Sequence, residues 1–238
     1  RYRGHRSRPA RLTGPDPPMK LDLQPTLSGT LLELRPLREK DWADLYAAAS
    51  DPLIWEQHPE STRHEEEVFR RFFAGALESG GALESGGALV AIDRSIGRIV
   101  GSSRFHGYDP ERREVEIGWT FLSRSHWGGR HNAEMKRLML DHAFRFVDTV
   151  LFLVGPQNHR SRRAVEKIGG ALSGTRFERG HEAVEYRITR EAWFADWSGP
   201  GCGVPGRGVA AAPVRVTPAC SNVPRATESV RSEGRRRS

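Results

Sequence analysis

The stretch from Val115 to Glu134, V-E-I-G-W-T-F-L-S-R-S-H-W-G-G-R-H-N-A-E, constrains this chain more than any other. Its first half alternates with period two. Val115, Ile117, Trp119 and Phe121 fall on one face, and Glu114, Glu116, Gly118 and Thr120 on the other, which predicts a strand over Arg113 to Leu122. The paired Gly128 and Gly129 then predict a tight turn. Beyond it, Met135, Leu138, Met139, His142, Ala143 and Phe146 recur at spacings of three and four, as on one stripe of a helix. A glycine turn feeding a helix leaves backbone N–H groups unpaired at the positive end of the helix dipole. That arrangement suits phosphate, although many such turns bind nothing.

A second unit follows. Thr149 to Gly155, with V-L-F-L-V at its centre, reads as an apolar strand, and P-Q-N-H-R-S-R-R-A-V-E-K-I-G-G as a capped helix. Asn158 stands at the N-cap position, Ser161, Ala164, Val165 and Ile168 share a face, and Gly169-Gly170 end the helix.

The combination of E-I-G-W, the W-G-G turn, Glu134 and the N-H-R-S…E-K-I-G run resembles the GNAT superfamily of acyl-CoA-dependent N-acyltransferases. It looks closest to the branch that acetylates ribosomal-protein N-termini. The resemblance covers about residues 29 to 190. It implies an α/β (α+β) fold: a mixed, mostly antiparallel sheet flanked by helices and splayed at the central strand. It implies acetyl-CoA as cosubstrate and a primary amine as acceptor, with no metal. Coenzyme would be held by Phe121 and Leu122 at the strand end, by Trp127, Gly128, Gly129, Arg130 and Asn132 around the turn, and by Asn158, Ser161 and Arg162 on the second helix. Trp55 and His58 lie in the connection that shapes the acceptor pocket in relatives. By residue type alone, Trp127 reads as core packing rather than a ligand contact, Trp55 serves at least as well as packing, and Arg162 and Arg163 are more often merely solvated.

Two departures stand out. The family's loop usually reads Gln or Arg, two residues, Gly, one residue, then Gly or Ala. Here Ser125 occupies the first position, Gly128 matches, and Arg130 takes the place of the last small residue. Val165 stands where many relatives carry a tyrosine that protonates the leaving thiolate.

Amide formation from a thioester requires that the amine lose a proton and that the donor be held in line. Glu116, mid-strand on the polar face beside the turn, is the candidate base, and Glu114 is the second choice. The competing reading makes Glu116 a surface residue paired with Arg104 or Arg113. His126 and His131 flank the glycines but have no ligand partner at metal-binding spacing in the sequence, so no metal is expected.

The chain has 238 residues, and its net charge of +7 lies in the tails. Residues 1–18 carry five Arg against Asp16, and residues 198–238 carry seven Arg against Glu228 and Glu233. The tails thus sum to +9 and leave about −2 for residues 19–197, so the charge of the central part does not call for nucleic acid. Both cysteines, Cys202 and Cys220, lie in the C-terminal tail, which fits a reducing cytoplasmic setting and excludes a disulfide core. No run approaches a membrane span.

The expected organisation is a disordered extension over 1–28 with Met19 as a candidate start, an acetyltransferase domain over 29–197, and a disordered Gly/Pro/Arg-rich tail over 198–238. Within the domain, strands are expected at 29–38, 88–93 and 98–107. Helices are expected from Asp41 as N-cap and over 64–77, with a terminal hairpin over 171–188 and a closing helix over 191–197. The duplicated G-A-L-E-S-G at 75–80 and 81–86 reads as a lengthened connection. A monomer or homodimer is expected. Two further readings remain from sequence: a coenzyme-binding module of this fold without turnover, and a nucleic-acid-associated protein working through its Arg tails.

Overall fold

The computed structural model describes residues 20–78, 86–178 and 180–195. The two basic tails and most of the duplicated segment lie outside the described residues. Among the described residues, eight strands form one sheet: β1 (Leu27–Ser28), β2 (Leu32–Pro36), β3 (Ala88–Asp93), β4 (Arg98–Asp109), β5 (Glu114–Leu122), β6 (Thr149–Val154), β7 (Ala171–Glu178) and β8 (His181–Thr189). Their order is β1-β2-β3-β4-β5-β6-β8-β7, antiparallel throughout except for β5 and β6. Among the described residues, five α-helices flank it: α1 (Trp42–Ala49), α2 (Glu66–Glu78), α3 (Arg130–Ala143), α4 (His159–Glu166) and α5 (Arg190–Ala195). Among the described residues, no helix is long and apolar enough to cross a membrane.

The middle of the sheet is buried on both faces, and β3 shows why its sequence is apolar up to Asp93. Leu89 and Ala91 join a core with Met135, Met139 and Leu140 of α3, while Ala88 and Val90 join a second core with Leu45 of α1 and Phe69 and Phe73 of α2. The ordered part begins earlier than the periodicity suggested. Leu21 is buried in the α3-side core, and β1 pairs with β2, both inside the stretch expected to be disordered.

Three local expectations are corrected. Asp41 does not cap α1 with its side chain; its carboxylate accepts from the Arg38 N–H and takes both arms of the Arg35 guanidinium at 2.7 and 2.8 Å. A buried carboxylate gains more from a two-pronged charged partner than from one backbone donor. The first G-A-L-E-S-G copy begins inside α2, with Ala76 buried, because Ala-Leu-Glu continues a helix readily.

The third correction concerns β5. Trp119 has a φ of 50°, and the β4–β5 register shifts there, from Arg104 opposite Gly118 to Ser102 opposite Phe121. This bulge inserts one residue and exchanges the faces beyond it. Val115 and Ile117 share a face as expected, turned towards α3, but Phe121 faces α1 and α2, and Leu122 takes the α3 side.

Candidate active site

β5 and β6 run parallel but pair only at Glu114–Thr149, Val115–Val150 and Glu116–Leu151. β5 continues to Leu122 and β6 to Val154 without pairing further. The sheet therefore opens between the C-terminal ends of two parallel strands, each followed by a helix that starts at that end. Crevices of this kind are where open sheets take ligands.

α3 begins at this opening. Its N-cap is Gly129, and no side chain caps its first turn, so its leading N–H groups are available to an anion. Gly128 has a φ of +67°, and a Cβ built there meets no atom within 4 Å. Glycine is required by the backbone conformation, and the backbone faces open space. Arg130, the first residue of α3, is exposed, and Asn132 is half-buried.

α4 faces the same opening. The Asn158 side chain accepts from Ser161 N at 3.1 Å, which makes it the helix cap expected from sequence. Ser161 is half-buried; Arg162 is tied to Tyr186 Oη at 3.0 Å and to the Pro156 carbonyl at 3.2 Å, and Arg163 is exposed. Sequence reasoning passed over Arg160, which spans the opening. Its guanidinium lies 4.0 Å from the centre of the Trp127 ring, donates to Ile54 O at 2.7 Å, and its backbone N–H donates to the Gln57 side chain. Trp127 is half-buried and donates its indole N–H to Leu122 O at 2.8 Å. Leu122 itself is core, and Phe121 packs at 5.1 Å from Trp55, so both offer the opening only backbone.

Glu116 is 6% exposed. Its carboxylate folds over Gly118, where an added Cβ would come within 2.8 Å of Oε1; glycine at 118 is what lets the carboxylate lie there. The surface pairing with Arg113 is not formed, because Arg113 pairs with Asp148 at 2.6 Å. Glu114 accepts from Arg187 at 3.0 Å, and Arg187 also binds Glu185, which draws Glu114 into an ion-pair ladder along β8.

Lys136 was missed altogether. It lies on α3 beside the unpaired part of β5, buried, with Nζ 2.5 Å from Thr120 Oγ1 and 5.1 Å from the centre of the Phe152 ring on β6. Burial pushes its pKa down to about 7, and the Glu116 carboxylate partly opposes that shift. Only a charge at a buried position of the α3 stripe could have signalled it.

The expected acceptor residues differ in placement. Trp55 is core, 3% exposed, with its indole bonded to Ala49 O. His58 lines a groove of about 340 Å³ with Glu56, Gln57, Gly155, Pro156 and Gln157. Burial lowers the His58 pKa to about 3, so this ring is neutral. Val165, in place of the family's tyrosine, is buried in the α3-side core.

Glu134 is a structural clamp. Its carboxylate accepts from Thr30, Leu31 and Leu32 N–H groups at 2.7–2.8 Å and fixes the start of β2 against α3. The turn before α3 is fixed differently. His126 Nε2 lies 3.1 Å and His131 Nε2 3.4 Å from Asp93 Oδ2 at the end of β3. The sequence offers these histidines no partner at metal-ligand spacing; Asp93, more than thirty residues upstream, reaches them through the fold.

A mostly antiparallel sheet split at one parallel joint, with an uncapped glycine-led helix at the split, is an arrangement suited to an anionic ligand in the crevice. The family follows from comparison. The model described as "Acetyltransferase (GNAT) domain" matches residues 32–171, and the chain belongs to this family of acetyltransferases. Among solved structures it is similar to a GCN5-related N-acetyltransferase from Brucella melitensis (18% identity, 80% of this chain and 91% of that one, TM-score 0.64). It is also similar to an acetyltransferase from T. thermophilus, described as putative (26%, 71% and 92%, 0.58). A third is RimL, a ribosomal L7/L12 α-N-protein acetyltransferase in complex with coenzyme A (17%, 69% and 97%, 0.56). A search of curated proteins found no match.

Proposed function

We propose that this chain transfers an acetyl group from acetyl-CoA to a primary amine, whether a protein N-terminus, a lysine or a small amine. The observation that carries the reading is the opening between β5 and β6, with the uncapped start of α3 at its mouth and the buried Glu116 within. The turn at Gly128 and Gly129, with Arg130 and Asn132, receives the pyrophosphate. The unpaired edge of β5 offers backbone groups to the pantetheine arm, which lies along it much as an added strand would.

The amine nitrogen attacks the thioester carbonyl, the C–S bond breaks, and the sulfur leaves as thiolate. The ammonium proton passes to Glu116, directly or through water. Val165 offers no acid, and a thiol leaves readily as thiolate without one. The groove beside His58, between the 56–59 connection and the 155–157 turn, supports an acceptor path. Release of free thiol from acetyl-CoA, measured against a panel of amino-terminal peptides, lysine peptides and small amines, tests the reading. Coenzyme binding with no release for any amine would reduce the protein to a binding module.

A further inference from the structure

The geometry points to a divalent transition-metal site, of the kind that takes Zn²⁺, formed by Asp93, His126 and His131 beneath the turn that leads into α3. The inference is independent of the acetyl-transfer reading. The three ligand atoms lie within 4.8 Å of one another. Both imidazole Nε2 atoms face a single carboxylate oxygen, at 3.1 and 3.4 Å. Ligands of a tetrahedral zinc, bound at about 2.0–2.1 Å, sit roughly 3.3 Å apart. The two measured edges therefore already match a zinc tetrahedron.

The surroundings orient two of the ligands, Asp93 and His126, as a metal site requires. Asp93 Oδ1 is engaged by the Ser95 N–H at 2.7 Å and the Ser95 hydroxyl at 2.6 Å, so Oδ2 is the oxygen presented to the histidines. His126 Nδ1 lies 2.8 Å from Ser123 Oγ and 2.9 Å from Ser125 Oγ. A hydroxyl that accepts Nδ1–H fixes the tautomer whose Nε2 lone pair points at a metal. The His126 and His131 rings stand edge to face with centroids 4.9 Å apart, which lets both nitrogens converge without stacking. Two imidazoles and a carboxylate, with a fourth position for water, suit zinc chemistry. Asp93 and His126 side chains are 8% and 12% exposed, while His131 at 25% leaves a path for the ion.

The three residues come from the end of β3, the short turn at Arg124–His126 and the first turn of α3. A metal there would tie the β3–β4 hairpin to the glycine turn. Together with the Asp93 carboxylate it would also leave one net positive charge behind the N–H groups that face the opening. Its role is to position the turn.

Titration of the full chain with Co²⁺, followed by visible absorption, should show the intense bands of four-coordinate cobalt at one ion per chain. Zn²⁺ should displace it and raise the melting temperature, since only the folded state assembles the site. Replacing His131 by Ala, or His126 by Ala, should weaken binding at least about tenfold. Cys202→Ser with Cys220→Ser should leave it intact. Should His126→Ala misfold, His131→Gln carries the same test at the more exposed ligand. Absence of cobalt bands, bands that survive loss of either histidine, or bands lost only with the tail cysteines would each overturn the proposal.

Discussion

Two buried ionisable side chains sit within reach of the opening, and they predict different things. Glu116→Gln keeps size and hydrogen bonding but removes the basic site. Turnover should fall on the order of 10²–10⁴-fold, with coenzyme affinity nearly unchanged by calorimetry. The defect should shrink as pH rises towards the acceptor's own pKa, because free amine then needs no help. Wild-type turnover in Glu116→Gln across that range would remove it as the base. Lys136 governs stability instead. Its pKa is about 7 in the folded protein and about 10.4 in an unfolded chain. Between these values the unfolded state holds more protons, so the Lys136 contribution to stability rises with pH. It is complete above about 10.4 and lost as pH falls through about 7. Lys136→Met should therefore be more stable than wild type at pH 7 and should flatten the rise of the urea midpoint between pH 7 and 10. Parallel profiles for the two proteins would show that the ammonium is solvated.

Among the elements, the helix starts carry the sharpest expectations. Gly128→Val places a branched side chain at a φ of +67° and fills the open space before α3. Coenzyme affinity should fall at least tenfold while far-UV circular dichroism stays unchanged; equal affinity in a folded variant would take the turn out of the site. Asn158→Ala removes the α4 cap and should cost about 1 kcal/mol in denaturant unfolding. A cost near zero would mean that water replaces the cap.

These elements also show what a sequence discloses. Strand–glycine–helix units were legible because period and turn chemistry are local, and Asn158 and Gly128 sit where they were expected. The bulge at Trp119 was not, since strict alternation predicts one face for Val115 through Phe121 and a single inserted residue reverses it without altering composition. Asp93 meets His126 and His131 only through the β3–β4 hairpin, a contact that no spacing within the turn encodes. Lys136 reads as an ordinary polar helix residue until α3 is rotated against β5.

At the scale of the whole molecule, the match of residues 32–171 to the family model spans the split and both flanking helix starts, so the parts of the proposed site belong to one inherited frame. The order in which the strands lie in the sheet nearly repeats their order in the chain, with only β7 and β8 exchanged. That has a kinetic consequence. β2 meets β3 across α1 and α2, but β3–β4, β4–β5 and β7–β8 close by short turns, and such local contacts form early because little chain entropy is lost in closing them. The parallel joint between β5 and β6 cannot close until α3 has crossed over, and it then rests on three residue pairs. The rate-limiting step should therefore precede that joint. Val150→Ala, at its centre, should speed unfolding and leave refolding nearly unchanged, whereas Val100→Ala in β4 should slow refolding. The seam proposed to admit the acyl donor would then also be the last part of the sheet to close as the chain folds.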